Sequence, residues 1–152
     1  MNVIEGDLIE LTLNGKFDVI VHGCNCFCQM NAGIAKSIKD AFPEVYEVDL
    51  TTIIADPEKL GQISSVSVIR NNHKTTIINA YTQFDTQDNK VNINYQALRS
   101  CFALIKKAYS GKKIAYPMIG AGLASGDWNK ISSIIDEELK DEFHTLVKLP
   151  EA

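Results

Sequence analysis

Two segments of the chain carry residue types able to hold a phosphate-bearing ligand. One runs from His22-Gly23-Cys24-Asn25 through Met30-Asn31-Ala32-Gly33-Ile34-Ala35, and the other is Ile119-Gly120-Ala121-Gly122-Leu123-Ala124. In both, glycines follow an apolar run and precede a helix-like one. Glycine permits close backbone approach and unusual dihedrals, and free amide N–H groups at a helix start favour an anion. Taken singly, either junction also reads as a plain turn. Three of the four cysteines, Cys24, Cys26 and Cys28, lie inside the first junction, with Cys101 far away. Structural zinc uses ligand pairs two to four residues apart with a second pair elsewhere, so this run predicts reduced thiols, with no metal and no cofactor. His73 and His144 fall in a predicted turn and in the last strand, away from both junctions, and receive no role.

The elements that position these junctions follow from the apolar periodicity, which switches repeatedly between strand-like and helix-like. Val3-Ile4 and the stretch Leu8 to Leu13 read as short strands, and Asp18-Val19-Ile20-Val21-His22 as a buried central strand ended by Gly23. Ile34, Ile38, Ala41 and Phe42 fall on one face of a helix over 33–42 that Pro43 stops or kinks. Gln62 to Arg70 and Lys74 to Gln83 are β-rich, joined by a turn at Asn71-Asn72-His73. A polar stretch from Phe84 to Ile93 leads into a long amphipathic helix marked by Tyr95, Leu98, Phe102, Ile105 and Tyr109, which Gly111 closes. Lys113 to Met118 reads as a strand, a helix starts near Asp127 or Trp128, and Phe143 to Leu149 supplies the last strand. Alternating elements of this kind predict an α/β domain.

The chain has 152 residues, enough for one domain spanning 1–152 with a buried sheet core. Hydrophobic residues at 45% and charged residues at 22% place it among globular chains and away from disordered or membrane classes. A net charge of -4 offers no footprint for general nucleic-acid binding. The opening residues lack a basic region followed by an apolar stretch, and no run has the length of a membrane span. A cytoplasmic monomer is the expectation.

In this order, the residues resemble the macrodomain family over nearly the whole chain, which implies a three-layer α/β/α domain with a mixed central sheet. Gly6-Asp7-Leu8 is similar to the family's early Gly-Asp-hydrophobic signature, which implies that Asp7 reads the adenine amino group. His22-Gly23-Cys24-Asn25 occupies the place of the family's Asn-Ala-Ala-Asn segment and implies that Asn25 faces the distal ribose. Met30-Asn31-Ala32-Gly33-Ile34-Ala35 resembles the first diphosphate loop of the branch related to the terminal ADP-ribose protein glycohydrolase, and Gly120-Ala121-Gly122-Leu123 the second. Small phage and bacterial macrodomains described as ADP-ribose-1''-phosphate phosphatases are similar too. The ligand set implied by the resemblance is therefore Asp7, Leu8, Cys24, Asn25, Met30, Ala32 to Ala35, Gln83, Phe84, Ile119 to Ala124 and Trp128.

The sequence departs from two catalytic patterns of that family. The ester-hydrolysing branch uses an aspartate where this chain has Ala35. The glycohydrolase-like branch uses a lysine and an aspartate that fall at Gln83 and Ala124, and neither replacement supplies a basic amine or a carboxylate. His22 and Asp127 are the remaining candidates near the distal ribose. A histidine with its ordinary pKa of ~6.5 moves a proton at neutral pH, and Asp127 can orient a water. Bland alternatives stand beside each: a satisfied strand-end His22, a helix cap at Asp127, turn or cap roles for Asp7 and Asn25, and packing roles for Trp128 and Phe84. Phosphate release from ADP-ribose-1''-phosphate is the expected activity. Removal of ADP-ribose from modified protein or nucleic acid, and a non-catalytic reader or sponge, are the alternatives. A doubly wound dehydrogenase is excluded by the lack of Gly-x-Gly-x-x-Gly after a first strand.

Overall fold

The computed structural model describes residues 1–86, 92–122 and 125–150. The chain runs β1 (Asn2–Glu5), α1 (Leu8–Leu13), β2 (Val19–Cys24), α2 (Gly33–Ala41) and α3 (Pro43–Asp49). After a 3-10 turn at Pro57–Lys59 come β3 (Ile63–Arg70), β4 (His73–Tyr81), α4 (Tyr95–Tyr109), β5 (Ile114–Tyr116), α5 (Trp128–Glu138) and β6 (His144–Lys148). The strands form one sheet in the order β1-β6-β5-β2-β4-β3. All neighbours are parallel except β3 and β4, which form an antiparallel hairpin. The sheet is thus mixed, as the resemblance implies.

Strand β2 is apolar without alternation because both its faces are covered, the usual state of a central parallel strand. Val19 and Val21 pack with Ile78, Leu98, Phe102, Ile131 and Ile135 under α4 and α5. Ile20 packs on the other side with Ile38, Phe42, Val45 and Ile77 under α2 and α3. Helices on both faces complete three layers. The β3–β4 turn is two residues, Asn71 and Asn72, with φ of 52° and 63°. Asparagine tolerates this left-handed backbone, and the resulting turn matches the twist of a hairpin.

Three expectations need correction. Leu8–Leu13 is a helix and not a strand. Ile9, Leu11 and Leu13 alternate in a strand-like way, but the Asp7 carboxylate accepts the amides of Ile9 and Glu10 at 2.9 and 3.2 Å and caps a turn that buries Leu8 and Thr12 together. Pro43 does more than stop α2: it occupies the first turn of α3, where a missing N–H costs nothing. Gly23 does not end β2, which continues to Cys24 opposite Tyr81. A β-carbon at Gly23 would stand 2.8 Å from Thr82 Oγ1 and 3.0 Å from Ile119 Cγ2, so the glycine allows neighbouring chains to close on the strand end. All four cysteines are free and buried. Among the described residues no helix is long and apolar enough to cross a membrane.

Replacing Asp7 by alanine removes the only side-chain cap of a six-residue helix. Asp7→Ala is expected to lower the unfolding free energy by about 1 kcal/mol in urea titration; an unchanged midpoint would show that α1 does not need the cap.

Candidate ligand cleft

Strands β2 and β5 are adjacent and parallel, so the loops leaving their carboxyl ends emerge side by side. Between these loops lies a cavity of about 500 Å³. Its floor and first wall include Gly23, Cys24, Asn25, Ala32, Gly33, Ile34 and Ala35, and the facing wall includes Ile119, Gly120 and Gly122. Gln83 lines it as well. Helix α2 begins at Gly33, whose φ of 60° suits glycine, and its N-cap Ala32 makes no side-chain hydrogen bond to the first turn. The first-turn amides of a helix have no intrahelical acceptor, so the cavity is bordered by donors that no side chain occupies. Gly120, at φ 73°, cannot carry a β-carbon because it would overlap the Ile93 side chain.

A second cavity of about 500 Å³ shares Ile34, Pro117 and Met118 with the first, so the two lie side by side. It is lined by Asp7 and Leu8, together with Ser37 of α2 and Lys148 at the end of β6. The expected Asp7–Leu8 pair and the two glycine loops are therefore brought together on one side of the sheet.

Other expected residues take different positions. Met30 is fully buried in the core under α2 and lines neither cavity; its unbranched side chain fills that core. Phe84 packs edge to face on Phe27 with ring centroids 5.1 Å apart, Ala121 and Trp128 pack against the α4–α5 core, and none of the three lines the cleft. Leu123 and Ala124 lie outside the described residues. Asp127 is the exposed N-cap of α5, accepting the Asn129 amide at 3.0 Å, and it too is outside the cavity lining.

His22, expected to transfer a proton, occupies a buried position within the sheet. Its ring is fully buried, and Nε2 lies 2.6 Å from Asn79 Oδ1. The Asn79 amide nitrogen already donates to Val45 O and Ser64 Oγ, so its oxygen accepts and His22 Nε2 donates. Burial lowers the His22 pKa to about 4, with the Asn79 bond opposing it. The ring is neutral at pH 7. Cys24, which does line the cavity, has its thiol pKa pushed well up by burial and by the carboxylate of Asp49, so it is no thiolate nucleophile. Among the described residues lining the first cavity there is no carboxylate, imidazole, ammonium or guanidinium.

The side chain of Asn25 organises its own loop. Its Oδ1 accepts the Phe27 amide at 2.9 Å and its Nδ2 donates to Gln29 O at 3.0 Å, leaving capacity for one more bond at each end. Gln29, Asn31, Thr86, Asn92, Pro117 and Met118 also line the first cavity and were not in the expected ligand set. Pro117 and Met118 follow directly on β5, so the rule that ligands sit beyond the carboxyl ends of parallel strands would have found them. Thr86 and Asn92 lie in sequence between Gln83 and Ile93, which form an isolated antiparallel bridge that no periodicity announces.

The Macro domain family profile matches residues 21–135, which include both loops, the end of β2 and all of β5. The chain belongs to the Macro domain family. A 17.5 kDa protein of Enterobacteria phage T4, from the tk-vs intergenic region, is 38% identical over 138 residues, covering 88% of this chain and 86% of its own. A crystal structure of a Bacteroides thetaiotaomicron protein superposes with a TM-score of 0.75 at 26% identity, covering 98% of this macrodomain and 99% of that chain. The structure of Thermosipho africanus DarTG in complex with ADP-ribose matches with a TM-score of 0.74 at 21% identity, covering 99% of this chain and 42% of that one. At that identity the likeness concerns the fold.

The buried histidine sets a pH dependence. The folded-state pKa lies below the ~6.5 of an unfolded histidine, so the unfolded chain binds the proton first and stability is lost as pH falls from about 6.5 toward about 4. The ring-proton NMR shift of His22 is expected to titrate with a midpoint near 4; a midpoint near 6.5 would place the ring in solvent.

Proposed function

We propose that this macrodomain binds ADP-ribose as a monomer, with the adenosine end against Asp7 and Leu8 and the diphosphate between the start of α2 and the Gly120–Gly122 loop. The observation that carries this reading is the uncapped amino end of α2 facing a glycine loop across a 500 Å³ cavity. Two sets of backbone donors without a nearby carboxylate suit a diphosphate. Family membership supports the ADP-ribose part, as does the ADP-ribose complex of the similarly folded Thermosipho protein. Asp7 spends Oδ1 on its helix cap, and its second oxygen has capacity for the adenine amino group. Four free thiols fit a reducing, cytoplasmic setting.

Release of phosphate from ADP-ribose-1''-phosphate is a second reading, favoured by one observation. With no carboxylate among the described lining residues, an extra anionic group in the first cavity meets no like charge. Its catalysis would rest on positioning and backbone donors, which carry much of phosphoryl transfer. Neither His22 nor Asp127 serves as the proton mover in this version. A reader or sponge uses the same donors without turnover, and hydrolysis of an ADP-ribosylated macromolecule needs a base from outside the described lining.

Calorimetric titration with ADP-ribose tests the binding, and phosphate release from ADP-ribose-1''-phosphate tests the turnover. A β-carbon at Gly122 meets nothing within 4 Å among the described residues, so alanine there is tolerated by the fold while it occupies cleft space. Gly122→Ala is expected to leave the melting temperature unchanged and to weaken ADP-ribose binding by about tenfold, the ~1.4 kcal/mol of a partly obstructed contact. No binding by the wild-type protein would refute the proposal; binding without phosphate release would leave a reader.

A further inference from the structure

The core beneath the first cleft wall holds charged groups that the binding reading does not use. Lys59 and Asp49 are 7% and 1% exposed. Lys59 Nζ donates to the carbonyl of Cys26 at 3.0 Å, approaches Cys28 Sγ at 3.6 Å and stands 4.9 Å from the centroid of the Tyr81 ring. Asp49 Oδ1 accepts the Tyr81 hydroxyl at 2.6 Å, and its backbone carbonyl accepts the Cys28 thiol at 3.2 Å. Burial raises the Asp49 pKa, while the Tyr81 hydrogen bond and the charge of Lys59 pull it back. Burying two charges costs several kcal/mol that their attraction seldom returns in full, so this cluster is poorly explained as a device for stability.

What it holds is the wall. The Cys26 carbonyl accepts from the Ala55 amide at 2.8 Å as well as from Lys59, and the Cys28 carbonyl accepts the Tyr46 hydroxyl at 3.1 Å. Cys28 has a left-handed backbone, φ 55°, which a non-glycine residue keeps only when its surroundings impose it. On either side of these tied peptides lie Asn25, Gln29 and Asn31, all lining the cavity. The Asn25 amide bonds within the same loop, to Phe27 N and Gln29 O.

We propose that Lys59, buried beside Asp49 and Tyr81, is a positioning residue of the ligand cleft: by tying the Cys26 carbonyl it sets the wall that carries Asn25, Gln29 and Asn31. This deepens the ADP-ribose reading and rests on it. The lysine touches no ligand. It fixes the loop from the core side, so its loss separates affinity from stability.

The test uses the whole protein with Lys59→Met and Asp49→Asn combined, which removes both charges and keeps an acceptor for the Tyr81 hydroxyl. The expected result is a melting temperature near that of the wild type, ADP-ribose affinity reduced at least tenfold, and faster hydrogen exchange at the Phe27 amide, which depends on the Asn25 turn. Wild-type binding with a folded double variant that binds within twofold and protects Phe27 equally would overturn the proposal. Should the double variant not fold, Tyr46→Phe removes the neighbouring anchor at the Cys28 carbonyl with little change of shape; a loss of at least threefold in affinity supports the positioning role, and an unchanged affinity sinks it. If the wild-type protein itself fails to bind ADP-ribose, the functional reading falls, and the Phe27 exchange in the variants still decides whether Lys59 orders the loop.

Discussion

The pairing of β2 between β5 and β4, all three parallel, is the constraint on which the cleft depends. Parallel neighbours end on the same side of a sheet, so the loop after β2 and the loop after β5 are delivered to one place although about a hundred residues separate them in the chain. Gly23 makes the arrangement possible at close range, because Thr82 and Ile119 approach where a side chain would otherwise stand. The helix that follows the first loop then points its amino end into the space so formed. The described lining of that space therefore offers backbone amides and uncharged side chains.

Polar groups inside the core serve that arrangement. His22, Asn79 and Ser64 form one hydrogen-bonded chain across β2, β4 and β3, with the imidazole neutral. Asp49, Tyr81, Lys59 and the cysteines of the first loop form another, facing the cleft wall from beneath. Each buried donor in these chains has an acceptor, which is the condition for keeping polar atoms in a low-dielectric interior. The consequence is a loop whose left-handed residue and internal Asn25 turn are set from the core side.

The hydrophobic period made much of the fold legible. Val19 to Val21, the Asn71–Asn72 hairpin and the stripe from Leu98 to Ile105 read in the sequence as they stand in the structure. The reading failed at Leu8–Leu13, where Ile9, Leu11 and Leu13 alternate and a six-residue segment is too short for its period to decide; the Asp7 cap decided it. It also passed over α3, since a proline read as a stop is equally a start. Of the candidate site, the glycine loops were legible because glycine is tied to backbone geometry, whereas Asp7, Leu8 and Asn25 were expected there only through the resemblance to the family; all of them line the cleft. Met30 and His22 do not: a methionine or histidine beside a loop looks the same in sequence whether it turns toward ligand or core.

The sequence by itself determined the alternation of strands and helices, the two glycine junctions and the absence of the lysine and aspartate used by one branch of the family. Those are local matters of period, turn chemistry and residue identity. Only the tertiary structure decided that the junctions share one cavity, that its described lining carries no ionisable group able to act at neutral pH, and that Lys59 reaches the Cys26 carbonyl across more than thirty residues. These depend on strand order and on which side chains are withdrawn from water, and both are set by packing between segments far apart in the chain.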